Sequence, residues 1–150
     1  LTIREHIEAV VATMKSKPTF IYGSTDDLNR LVDTVTKFPV VFLLDIAPST
    51  LTLEPSGAIA ESNAKYMEFF SPCEFADDPN KMDLIQSEML TEIKDFIVKA
   101  RAYRVNGSKV FLFNSGDTVR SLNFVDKYDI NVAGRTLDVN FKPFYPDSFC

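Results

Sequence analysis

A chain of 150 residues with 45% hydrophobic and 25% charged side chains has the size and make-up of one globular domain, so a single domain over residues 1–150 is expected and a disordered or fibrous class is excluded. Sixteen basic against twenty-one acidic side chains give a formal charge of -5, which opposes sequence-specific nucleic-acid binding and adhesion to anionic membranes. No apolar run approaches the roughly 20 residues that cross a bilayer, the first residues lack a signal-peptide pattern, and synthesis in the cytoplasm is expected. Cys73 and Cys150 stand too far apart to write a redox pair or a zinc cluster and read as reduced thiols. The chain starts with Leu1 rather than Met, as if leading residues had been removed or left out of the numbering.

In chain order, Ile3, Ile7, Val10, Val11 and Met14 recur at helical spacing behind Thr2 and Glu5, which have the spacing of a capping box; this predicts an amphipathic helix ending near Pro18. Thr19 to Tyr22 reads as extended. Ser24, Thr25, Asp26 and Asp27 then supply cap candidates and negative charge for a second helix whose buried face is Leu28, Leu31, Val32 and Val35. After Phe38-Pro39, the continuous apolar run Val40 to Leu44 reads as a strand covered on both faces and central in the sheet. Pro48 to Gly57 is turn-rich, and Ile59 to Phe70 reads as a strand that pairs with the preceding one as a long hairpin.

A loop through Pro72, Asp77, Asp78, Pro79 and Asn80 leads to the longest helix, with Ile85, Met89, Ile93, Phe96, Ile97 and Ala100 on one stripe. Three extended segments follow, Lys109 to Phe113, Val119 to Asp126 and Ile130 to Phe144. In the last, alternation sends Leu137, Val139 and Phe141 to the core and Asp138, Asn140 and Lys142 outward. The expected fold is α+β, a mainly antiparallel sheet with the long helix and the N-terminal helix packed on one face.

The sequence offers no convincing catalytic site, cofactor site or metal site. His6 is the only histidine, and beside Glu5 on a first helical turn it reads as solvent-facing. No G-x-S-x-G, G-x-G-x-x-G or G-K-[ST] occurs, which leaves nucleophile-elbow and nucleotide-binding chemistry without support. Asp26-Asp27 and Asp77-Asp78 are possible metal ligands, but both precede predicted helices, where carboxylates favour the helix dipole in any case. Asp45, Glu61 and Lys65 invite comparison with metal-dependent nucleases, yet three residues separate the acid from the lysine and a basic surface is missing. The thirteen phenylalanines read as core filling in a chain without tryptophan.

Three stretches carry a resemblance. They are the N-terminal helix ahead of Phe20-Ile21-Tyr22-Gly23, the run Asp27 to Asp33 followed by Phe38-Pro39-Val40-Val41, and the run Tyr128 to Phe141, in which an Asp/Asn-rich turn feeds an alternating strand. In layout the chain resembles the tail terminator, tail-completion and neck-ring proteins of long-tailed bacteriophages. That resemblance implies a non-enzymatic virion subunit of the neck or tail, assembled in the host cytoplasm into a ring, commonly a hexamer with a dodecamer as the alternative. Such a ring joins the tail tube to the head connector and lets DNA pass. The competing reading is a cytosolic, non-enzymatic adaptor or accessory binding domain. Candidate partner-contacting residues are Leu51 and Leu53 at the hairpin tip, Phe75 in the following loop, and Phe144, Tyr145 and Phe149, which lie past the last alternating strand among prolines and are expected either to fold back on the core or to cover a partner.

Overall fold

The computed structural model describes residues 2–32, 34–35, 37–44, 49–53, 55–57, 59–73, 79–111, 119–125 and 132–141, with backbone alone at 32, 49–50, 52, 60–64, 125 and 139–141. The chain opens with helix α1, Ile3–Ala12, whose capping box is complete: the Glu5 amide donates to the Thr2 hydroxyl at 3.2 Å and the Thr2 amide to the Glu5 carboxylate at 2.7 Å. Strand β1, Thr19–Gly23, is followed by helix α2, Thr25–Val32, and strand β2, Val40–Leu44. β1 and β2 pair in parallel, so the chain must cross over between them, and α2 makes that crossing.

Strand β3, Ser49–Leu53, and strand β4, Ile59–Pro72, form an antiparallel hairpin whose turn includes Gly57 at a φ of 88°. Helix α3, Pro79–Ala102, then leads to the two-residue ribbon of β5, Arg104–Val105, and β6, Ser108–Lys109. The last strands are β7, Asn123–Val125, and β8, Val132–Phe141, with Arg120 bridged to Asp138 in the same β7–β8 register. The main sheet runs β1-β2-β4-β8-β7, and β3 lies against the remaining length of β4 on the β2 side.

Alternation splits the sheet into two faces. Val41, Leu43, Met67, Phe69, Ala133 and Leu137 pack with Ile7, Val10, Val11 and Met14 of α1 and with Ile85, Met89, Ile93, Phe96 and Ala100 of α3. The edge-to-face pair of Phe69 and Phe96, with centroids 6.0 Å apart, fixes α3 over β4. On the other face Ile21, Val40, Phe42, Phe70 and Val132 pack with Leu28 of α2, flanked by Val35, Phe38 and Phe124. The long and N-terminal helices therefore share one face, as expected, whereas α2 covers the opposite one because it is the crossover of the parallel pair.

Several expectations need correction. β2 is buried on both faces, but the central strand is β4, which carries β2 and β3 on one side and β8 on the other. The stretch 48–57 is not turn alone, since it holds β3. Leu31 is 45% exposed because a helix of two turns buries only Leu28 fully against the sheet. The extended segment from Lys109 reduces, among described residues, to the β5–β6 ribbon, after which Val110 and Phe111 turn into the core. In β8, Leu137 is buried and Asp138 exposed, as the alternation requires, while the side chains of Val139, Asn140, Phe141 and Lys142 lie outside the described set.

Candidate assembly surface

Among the described residues, the hairpin of β3 and β4 reaches past the rest of the sheet. Within that same set β8 pairs with β4 from Pro72 back to Asn63, whereas β3 continues the pairing to Ile59. From Leu43 to Ser49 the chain advances six residues while its partners on β4 move four, from Met67 to Asn63, so two extra residues separate β2 from β3.

On this extension Leu53 is paired with Ile59 and Leu51 with Glu61. Strand alternation puts Leu51, Leu53 and Ile59 on one face, the face that nearer the core carries Met67 and Phe69. Among the described residues no helix covers this end. Leu51, Leu53 and Ile59 are 64%, 77% and 53% exposed. Covering three such side chains would be worth about 1–2 kcal/mol each. β3 itself has one hydrogen-bonded neighbour among the described residues, and its sequence Ser-Thr-Leu-Thr-Leu holds neither a charge nor a proline of the kind that protects sheet edges.

The structure thus places Leu51 and Leu53 on one face and adds Ile59, paired with Leu53, which the sequence marked only as the start of a strand. Phe75 lies outside the described residues, and β4 ends before it, at Pro72. Phe144, Tyr145 and Phe149 also lie outside them, but the strand that leads to them ends at Phe141, opposite Asn63 and beside the foot of the hairpin.

The residues weighed for chemistry have structural surroundings. His6 is half-buried rather than solvent-facing: its Nδ1 lies 3.2 Å from the Tyr103 hydroxyl and its ring meets Phe111 edge-on at 6.3 Å, and burial lowers its pKa. Tyr103 and Phe111 stack at 6.0 Å, so α1, the end of α3 and the segment after β6 close on one aromatic cluster. Asp26 and Asp27 stand in the first turn of α2. The Asp27 carboxylate accepts from the Ser24 amide and hydroxyl, each at 2.9 Å, and pairs with Arg30; the Ser24 amide does most to lower its pKa.

Lys65 is half-buried on β4, while the Glu61 side chain, Asp45, Asp77 and Asp78 lie outside the described set. Among the described residues no three His, Cys, Asp or Glu side chains gather as a metal site would require. One buried acid escaped the sequence reading. Glu68, 1% exposed, is paired across β4 and β8 with Thr136, 4% exposed, on the α2 side of the sheet. Its only sequence trace is a lone carboxylate inside the run Tyr66 to Phe70.

No protein-family model matches the chain, and no curated protein matches it significantly. No helix is long and apolar enough to cross a membrane among the described residues.

Proposed function

We propose that the chain is a non-enzymatic structural subunit that associates head-to-tail into a ring, and that its place is the neck or tail terminus of a long-tailed bacteriophage virion. The observation that carries this reading is the exposed stripe of Leu51, Leu53 and Ile59 on a hairpin that extends beyond the sheet. Large aliphatic side chains on a two-stranded projection gain little from their own domain, and contact with a neighbour would remove them from water. A closed ring needs such a patch to meet a different surface on the next copy, since like-to-like contact stops at a dimer. A hexamer agrees with the layout resemblance, with a dodecamer as the alternative count, and the adjoining proteins would be those of the tail tube and the head connector. The formal charge of -5 suits a channel that DNA must traverse without adhering.

The test is the double substitution Leu51→Ser and Leu53→Ser, followed by sedimentation and thermal melting. Both side chains are exposed, so the melting temperature should hold while the assembled species disappears. Assembly unchanged in the double variant would rule out the hairpin as the contact. A small fixed oligomer in both proteins would favour the accessory binding domain.

A further inference from the structure

We infer that the basic end formed by the last turn of α3 and the β5–β6 ribbon docks on the acidic first half of α3 in a second copy of this chain. The inference rests on the reading that copies associate, and it adds a contact to that of the hairpin stripe. From residue 96 to residue 116 the sequence holds no acid and four cations, Lys99, Arg101, Arg104 and Lys109. The whole chain carries -5, so its other positions sum to a formal -9.

The ribbon holds its cations in place. Its turn, Asn106-Gly107, has positive φ angles of 51° and 81°, the geometry of a tight two-residue hairpin, and the stack of Tyr103 on Phe111 anchors its base. The Arg104 guanidinium donates to the carbonyls of Arg101 and Tyr103 at 2.9 and 3.0 Å, which ties it to the end of α3. Those carbonyls account for a cation at Arg104 but not for Lys109, which is paired directly across the ribbon from it, where like charges cost stability. Arg101, Arg104 and Lys109 are all exposed, and among the described residues none of them has a carboxylate in ion-pair contact. Val98, one turn before Arg101, adds an exposed apolar side chain.

Asp83 and Glu88 form the counterpart. Both are exposed and lie beyond the first turn of α3, which holds no acid, so the free amides at the helix start do not account for them. No cation stands three or four residues from either. Leu84 lies between them and, like Val98, is 60% exposed. Each patch thus sets an apolar side chain beside charge, and the two signs are opposite. Leu84 and Val98 are about 21 Å apart along the helix, about two Debye lengths at 0.1 M salt, so the patches do not offset each other within one chain. Those of two copies can meet, and unlike patches give the head-to-tail contact that a ring requires. The exposed apolar side chains and the acid elsewhere in the chain favour a protein surface over a phosphate backbone.

The test uses the full chain and reads the dissociation constant of self-association by sedimentation. Arg101→Glu with Lys109→Glu should raise it about tenfold at about 0.1 M salt, and Asp83→Lys with Glu88→Lys should do the same. Arg104 stays, so the end of α3 keeps its tie, and thermal melts check that both variants fold. An equimolar mixture of the two variants should recover the wild-type constant, because each reversed patch then meets its reversed counterpart. Should a variant fail to fold, the wild-type chain alone still decides: at about 1 M salt, where the Debye length is about 3 Å, its association should weaken about tenfold, and association that does not weaken counts against the contact. Unchanged constants in both variants, or no recovery on mixing, would overturn the inference. So would tight binding of a DNA duplex that Arg101→Glu with Lys109→Glu abolishes, which would assign the cations to phosphates. Images judge the ring separately: a charge-dependent dimer with no ring keeps this contact and loses the ring, and a ring indifferent to both charge reversals does the reverse.

Discussion

Gly134 of β8, opposite Phe70 on β4, leaves no room for a side chain. A β-carbon built there would stand 2.1 Å from the Phe69 carbonyl oxygen, and the rings of Phe70 and Phe124, its partners on β4 and β7, meet edge-to-face across it at 6.4 Å. Gly134→Ala should therefore cost about 2 kcal/mol or more through displaced backbone, read as a lower midpoint in urea unfolding. His6 gives a pH signature. Burial lowers its folded pKa below the ordinary value of about 6.5, so the unfolded chain takes up the proton first as pH falls. Its contribution is flat above that value and is lost on acidification through it toward the folded pKa. Melting temperatures measured from pH 8 to pH 5 should show this decline, and His6→Phe should flatten it; an identical slope in both proteins would show that His6 is not its source.

At the scale of elements, the capping box closes the start of α1, and the segment after it is tied to α3 by the Ser16 hydroxyl donating to Glu92 at 2.6 Å and the Lys15 amide donating to Asp95 at 2.9 Å. Thr2→Ala removes the first and should cost about 1 kcal/mol, whereas Phe96→Ala, which empties the contact between α3 and β4, should cost about 3–5 kcal/mol in the same unfolding measurement. Both helices were legible in the sequence because a 3.6-residue apolar stripe survives wherever one side of a helix is buried. β3 was not, since its two large side chains are exposed and the prolines at positions 48 and 55 suggest turns around it. The central place of β4 and the parallel pairing of β1 with β2 depend on contacts between distant segments, which local patterning does not encode. For the same reason Leu51 and Leu53 were named as candidates without Ile59, the partner of Leu53 across the hairpin.

At the scale of the whole molecule, the described part of the sheet is buried where helices lie on it, and Leu51, Leu53 and Ile59 are exposed at the end where, among the described residues, the β3–β4 hairpin runs on alone. That contrast supports the assembly reading: the core is complete without the hairpin stripe, so the stripe can change partners without unfolding the domain. Light scattering of the purified full chain over a wide concentration range, with negative-stain images of the same samples, tests this most directly. The account predicts that mass rises to a plateau at a fixed whole number of subunits, and that the images show closed rings with a central opening. Mass that stays at one chain up to millimolar concentration, or that stops at a dimer with no ring in the images, would contradict it.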